Sequence, residues 1–247
     1  CIRDSICDFS DSDQVIRWVK NAGEAMGGVD ICIGNASASA QQGEGAAPWR
    51  SSFDVAILGT AMFFETARPF LKESSSAAIV QIATITAIEH HDVPINPSYG
   101  AVKAATINMI AQIAQRWGPD GIRANTVSPG PILIEEGRWD EIKERLPELY
   151  EKDRKQHPLE RMGTGDEIAD VVAFLASPRS SWVTGAKWDL KDKDGDPIGV
   201  CDEEGNLDLS AVAGRENTAD MFEVIKDGLV MEVLGWEMNV EEPRAAS

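Results

Sequence analysis

No stretch of this 247-residue chain is apolar over the roughly 18 to 20 residues that a membrane-spanning helix requires, and residues 1 to 20 do not look like a secretion signal. A membrane partner is not expected. Basic residues are scarce: 23 Lys and Arg against 41 Asp and Glu leave a net charge of -18. That excess repels nucleic-acid phosphates, so no nucleic-acid partner is expected either. Cysteine is sparse as well. Cys1, Cys7, Cys32 and Cys201 show no paired metal-ligand spacing, which argues against a metal centre, and Cys7 and Cys32 sit in apolar runs where a small buried hydrophobe would serve. This usage suits a reducing, cytoplasmic setting. The chain opens on Cys1, not methionine, which raises the expectation of a processed chain or a piece of a longer one.

What is present is enough to build a core: 43% of residues are apolar, sufficient for one sizeable α/β domain or a domain with an appendage. Ser10 followed by Asp13 has the form of an N-cap, and Val15, Trp18, Val19, Ala22 and Met26 then recur at helical spacing up to Gly27-Gly28. Val29 to Gly34 is a short apolar run bounded by glycines, read as a strand covered on both faces. The alternation repeats with a helix near 52 to 72, a strand at Ala78 to Ala83, a helix from about Ser98 to Trp117 and a strand at Ile122 to Val127. Such a series predicts a doubly wound parallel sheet with helices on both faces. Trp18, Trp117 and Trp182 stand at plausible core positions. Between Ile134 and Gln156 a charged amphipathic stretch containing Pro147 predicts two short surface helices or a mobile lid. Thr164-Gly165-Asp166-Glu167 matches a capping box, and Ile168, Val171, Val172 and Leu175 supply the buried stripe of the helix it opens, which stops at Ser177-Pro178.

From about Trp188 the character changes. Residues 188 to 247 carry 16 acidic and 5 basic residues against 25 and 18 before them, so the expected organisation is a domain over 1–187 followed by an acidic C-terminal extension over 188–247. Asp192-Lys193-Asp194-Gly195-Asp196 and Glu203-Glu204-Gly205-Asn206 look like turns around short strands such as Pro197 to Cys201. The first of these turns does not make a calcium loop, because its glycine falls three residues after the first Asp.

The sharpest constellation is Tyr99-Gly100-Ala101-Val102-Lys103, preceded by a strand ending in Ala83-Thr84-Ile85-Thr86 and followed by Ser128-Pro129-Gly130-Pro131-Ile132. Four-residue spacing puts Tyr99 and Lys103 on one helix face, with the ammonium beside the phenol. A free tyrosine titrates near pKa ~10, and a neighbouring cation favours its phenolate. In order and type these residues resemble the short-chain dehydrogenase/reductase family, with its Tyr-x-x-x-Lys motif, upstream hydroxyl and downstream Pro-Gly turn. Cys7-Asp8, Gly34-Asn35-Ala36-Ser37, Gly121-Ile122-Arg123-Ala124-Asn125 and Trp182-Val183-Thr184-Gly185 also fall at family-like positions.

The resemblance implies a Rossmann-type fold and NAD- or NADP-dependent interconversion of an alcohol and a carbonyl on a small-molecule substrate. It implies Tyr99 as acid/base, Lys103 lowering its pKa and gripping the nicotinamide ribose, and a hydroxyl that orients the substrate oxygen. The family commonly has serine there; this chain offers threonine, Thr84 by the count along the strand or Thr86 by the commoner spacing to the tyrosine, with Thr84 preferred because a shifted strand costs more than a longer loop. Asp8 would lie at a strand end beside the adenine, Asn35 and Ala36 along the adenosine, and Pro129, Gly130 and Ile132 against the nicotinamide. Where the family has an asparagine that helps hold a relay water near the lysine, this chain has Ala56. His90-His91, between the threonines and Tyr99, reads as a solvated loop pair, and His157 as a surface residue. The helices near 52 to 72 and 98 to 117 would form the interface of a homodimer or homotetramer.

One family feature is missing from these 247 residues: the glycine-rich Thr-Gly-x-x-x-Gly-x-Gly turn whose amides meet a pyrophosphate. Gly43-Glu44-Gly45 does not replace it. The Rossmann-type domain is therefore expected to be N-terminally incomplete. The rival reading is a non-catalytic interaction scaffold, or an incomplete fragment, that does not bind the dinucleotide.

Overall fold

The structure, a computed structural model, describes residues 5–38, 44–88, 96–157, 159–189, 221–224 and 229–233. The His90-His91 pair, Gly43, both acidic turns and the Pro197–Cys201 strand lie outside the described residues.

Helix α1 spans Ser12–Met26 and strand β1 Ile31–Gly34. Helix α1 starts one residue later than Ser10 would allow, because the carboxylate that reaches the Gln14 amide, at 2.9 Å, belongs to Asp11. The Ser10 hydroxyl is bonded to Asp8 at 2.7 Å instead. A continuous helical run follows: α2 (Ala46–Phe53), a π-helical turn (Asp54–Gly59) and α3 (Thr60–Leu71), so the helix expected near 52 begins earlier and carries a π turn. Then come β2 (Ala78–Ile82), α4 (Pro97–Trp117), β3 (Arg123–Ser128), the two-residue β4 (Ile132–Leu133), α5 (Arg138–Arg145), α6 (Pro147–Gln156), the two-residue β5 (Gly163–Thr164), α7 (Gly165–Ala176) and β6 (Ala186–Asp189). Strands β7 (Met221–Val224) and β8 (Leu229–Val233) close the series.

The main sheet runs β1-β2-β3-β6-β8-β7. Its first four strands are parallel, and β8 and β7 add on antiparallel. The boundary drawn at 187/188 falls inside β6. Side chains alternate faces along a strand, and the core follows that parity. Cys32 and Ile79 point to a layer made by α1, α3 and α4, where Val15, Phe64, Leu71 and Ile110 are fully or almost fully buried. Val80 and Val127 point to the opposite layer, under Val171, Val172 and Leu175 of α7. Burying side chains of this size contributes about 1.5–3 kcal/mol each, the main term holding the two layers on the sheet.

Four expectations are corrected here. β1 is covered on one face, not both, for Ile31 and Ile33 are each 46% exposed: α7 packs over β2 and β3 and does not extend to the sheet edge. Residues 5–8 belong to no strand, since no described strand lies beside them to complete a ladder, and Ile6 is 99% exposed. Cys32 is buried, but Cys7 is only half-buried. Trp117 is in the core and Trp18 packs on Phe9 and Phe63, whereas Trp182 is 79% exposed on the turn before β6.

Pro147 separates α5 from α6 as its missing N–H requires, and Ile142, Tyr150 and Met162 give this pair a small core of its own. Helix α7 has its capping box: the Thr164 N–H donates to Glu167 at 2.8 Å and the Glu167 N–H to Thr164 Oγ1 at 3.3 Å. At its other end Arg123 of β3 donates to the Leu175 and Ser177 carbonyls, satisfying acceptors that a helix C-terminus leaves open.

Candidate active site

In an open parallel sheet the crevice beyond the C-terminal strand ends receives the ligand, because loops there diverge to either face. β2 ends at Ile82, and Thr84 then caps a short turn over Ile85–Ala87 by accepting the Thr86 N–H at 3.3 Å. The Ala83 N–H donates to the Val127 carbonyl at 2.8 Å and the Ile85 N–H to the Pro129 carbonyl at 3.0 Å, which bolts this turn to the Pro129–Gly130 turn after β3.

Helix α4 enters the crevice with Asn96 as its cap, accepting the Ser98 N–H at 2.9 Å, and Pro97 at its start. Gly100 allows its first turn to lie flat on the threonine turn; a Cβ there would come within 2.7 Å of the Thr86 carbonyl oxygen. Ser98, 1% exposed, pairs with Ser52 at 3.0 Å and so fixes α4 to α2 from behind. The result places Tyr99 against Thr84, side chain hydrogen-bonded to side chain, while the Thr86 hydroxyl stands behind Thr84 at 3.3 Å. Burial raises the Tyr99 pKa, and the Thr84 hydrogen bond counteracts part of the rise.

One turn along, Lys103 is 2% exposed and donates to the Ile82 carbonyl at 2.8 Å. Loss of water around the ammonium pulls its pKa down to about 8. Tyr99, Lys103 and Thr84 are thus brought together. Asn35 and Ala36 follow the end of β1, the former exposed and the latter half-buried. Gly130 and Ile132 are half-buried, and Ile132 opens β4 opposite Gly163. Asp8 is not at a strand end: it is exposed, and hydrogen bonds from the Ser10 hydroxyl and N–H hold its carboxyl below the ordinary value. Ala56 is buried in the π turn. Among the described residues no group of three or more His, Cys, Asp or Glu could hold a metal ion.

Two features escaped the reading of the sequence. His157 is not a surface residue; its side chain is 14% exposed, faces Asp153 at 3.8 Å and lies against Gly130, because α6 folds back onto the Pro129–Gly130 turn. The Asp153/His157 spacing of four was its only signal. Gln81, 1% exposed, shares the Ile82 carbonyl with Lys103, and a lone polar residue inside an apolar strand was the available clue.

The parallel sheet, its flanking helices and the crevice beyond its strand ends define an α/β protein of Rossmann type. Residues 5–190 match the sequence pattern described as Enoyl-(Acyl carrier protein) reductase. Isoepoxydon dehydrogenase patN of Penicillium expansum is 35% identical over 72% of this chain and 68% of its own length, and that of Aspergillus clavatus is 36% identical with the same coverage. The solved structure of ElxO with NADP bound superposes with a TM-score of 0.66 at 27% identity, covering 76% of this chain and 74% of the other. The chain belongs to the short-chain dehydrogenase/reductase family. No described helix is long and apolar enough to cross a membrane.

Proposed function

We propose that this chain interconverts an alcohol and a carbonyl with NAD or NADP, Tyr99 acting as acid/base, Lys103 stabilising its phenolate and gripping the nicotinamide ribose, and Thr84 orienting the substrate oxygen. The observation that carries this reading is the Tyr99–Thr84 hydroxyl pair with the Lys103 ammonium one helical turn away, all at the crevice above β2 and β3. The residues suit the nicotinamide end of a dinucleotide. Lys103 is a buried cation whose described hydrogen bond goes to a carbonyl and to no carboxylate, and the strand-end turns at Asn35–Ala36 and Pro129–Gly130, with Ile132 beyond, flank it. Asp8 is proposed at the adenosine side. The cofactor supplies the hydride acceptor or donor when bound.

What remains falls to the side chains. The substrate hydroxyl donates to Tyr99 in its phenolate form as the alcohol is oxidised, and Tyr99 returns the proton in the reverse direction. Thr84 accepts or donates one hydrogen bond at the substrate oxygen and one at Tyr99, as a hydroxyl can. Lys103, whose midpoint of about 8 leaves it mostly charged at neutral pH, is the cation proposed to offset the burial of the phenolate.

Isoepoxydon, the compound named in the two relatives of 35–36% identity, is the first substrate to assay, and ElxO with NADP bound supports NADP as the first cofactor. We further propose a cytoplasmic homodimer or homotetramer built on α2 and α4, where Trp49 and Phe53 are 47% and 46% exposed beside Ala101 and Ala105. Residues 1–187 are proposed as the catalytic domain and 188–247 as its extension. Tyr99→Phe decides the matter: kcat falls by at least a hundredfold with cofactor binding, read by NAD(P)H fluorescence, retained. Full turnover by that variant refutes the reading, and absence of any NAD(P)H binding by the parent chain favours a non-catalytic scaffold or an incomplete fragment.

A further inference from the structure

Gln81 is the polar member of the strand Ala78-Ile79-Val80-Gln81-Ile82. Its Nε2 donates to the Ile82 carbonyl at 2.9 Å, and Lys103 Nζ donates to the same oxygen at 2.8 Å. A carbonyl oxygen offers two lone pairs, so this one is fully used. The topology explains why. β1 ends at Gly34, opposite Gln81, and Ile82 lies one residue past that register, where its carbonyl is met by side chains. Gln81 shares strand parity with Ile79 and therefore faces the layer of α3 and α4, from which Lys103 descends.

The other end of the carboxamide is equally constrained. Gln81 Oε1 is buried with no hydrogen-bond partner and lies over Gly34, where a Cβ would overlap it and would also come within 2.9 Å of the Phe64 ring. The side chain is held between Gly34, Phe64 and the strand end, with its donor turned to Ile82.

We propose that Gln81 is a positioning residue for the reaction: by occupying one lone pair of the Ile82 oxygen it leaves a single seat for the Lys103 ammonium and so sets where that charge stands relative to Tyr99. This rests on the roles proposed above for Tyr99 and Lys103. Two nitrogens bonded to one oxygen are within about 6 Å of each other, so a carboxylate at position 81 stands close enough to Lys103 to favour its charged form.

Two variants test it. Lys103 titration is followed through its 13Cε resonance in lysine-labelled protein, assigned by its absence in Lys103→Met, and this needs neither cofactor nor turnover. In Gln81→Glu the new carboxylate lifts the Lys103 midpoint from about 8 by a unit or more. Gln81→Met keeps the length of the side chain and removes the donor. Its kcat falls about tenfold, substrate KM moves less than twofold, and the pH limb that reports Tyr99 rises by about half a unit, because the displaced ammonium supports the phenolate less well. Gly34→Ala, which pushes the carboxamide off Ile82, shifts the same limb in the same direction. In Gln81→Met, which adds no charge, a purely structural role would lower Tm while leaving the Lys103 midpoint and the Tyr99 limb in place, and that result overturns the proposal. A Tyr99→Phe variant with full turnover would instead remove the catalytic assignment, a failure the Lys103 titration in Gln81→Glu does not share.

Discussion

Lys103→Met should make the protein more stable at neutral pH while removing its proposed catalysis. An unfolded lysine titrates near 10.5 and Lys103 at about 8, the difference arising from the water it has lost. Below pH 8 the ammonium is charged in both states, so the folded chain carries the whole cost of holding it dry. Between pH 8 and 10.5 the unfolded chain binds the additional proton, and stability therefore climbs with pH; above 10.5 both states are neutral and the penalty is gone. Two and a half units at about 1.4 kcal/mol each give a cost of about 3 kcal/mol. Methionine fills the volume but donates nothing to the Ile82 carbonyl, a loss of about 1 kcal/mol that is limited because Gln81 still donates there. The net gain is about 2 kcal/mol at pH 7, equivalent to a Tm rise of roughly 4–8 °C for a chain of this size. Paired urea and thermal melts of parent and variant at pH 7 and pH 10.5 measure it. The gap should shrink or reverse at the higher pH. A variant less stable than its parent at pH 7, or a gap that ignores pH, would show that burial of the ammonium is not what depresses its pKa.

The two threonines separate by function: Thr84→Val removes the hydroxyl bonded to Tyr99 and should lower kcat/KM about a hundredfold, whereas Thr86→Val should stay within a few-fold, both read by NAD(P)H absorbance under identical conditions. Thr164→Ala breaks the capping box of α7 and should cost about 1 kcal/mol in urea unfolding. Glu167 of that box has its pKa lowered from 4.5 to about 2, first by Arg161 and then by the Thr164 N–H, so its contribution is present above pH 4.5 and is lost as pH falls toward 2. The acid limb of the stability profile should flatten in Glu167→Gln; with the pair nearly half-exposed, the change is small.

What could be read from the residues alone was whatever depends on neighbours in sequence. Helical spacing was enough to place Tyr99 and Lys103 on one face of α4, and a capping box announced α7. Apart from the starts of α1 and α2, the expectations that failed depended on what a segment packs against. β1 has the composition of a strand buried on both faces, yet the second covering helix lies over β2 and β3 and leaves Ile31 and Ile33 open. Ile6 and Cys7 have strand-forming composition but no described strand to bond with. His157 stands before a proline in a charged stretch, and only the return of α6 to the Pro129–Gly130 turn makes it a partly buried group.

Gly34 and Gln81 show why the site itself is less legible than the helix that carries its tyrosine. Each residue alone has an ordinary explanation: glycine ends a strand, and a glutamine interrupts an apolar run. Their meaning is mutual, since they are paired across β1 and β2, and the space left by the absent side chain at 34 is what admits the carboxamide. That carboxamide then competes for the same oxygen that receives Lys103. The pairing register connects two positions 47 residues apart, and no local periodicity carries that information. A double-mutant comparison follows from the geometry: Gly34→Ala in a Gln81→Met background should add much less to the loss of kcat than it does alone, because the donor it would displace is already gone. Fully additive losses would mean that Gly34 acts on the site through Phe64 or the backbone and not through Gln81.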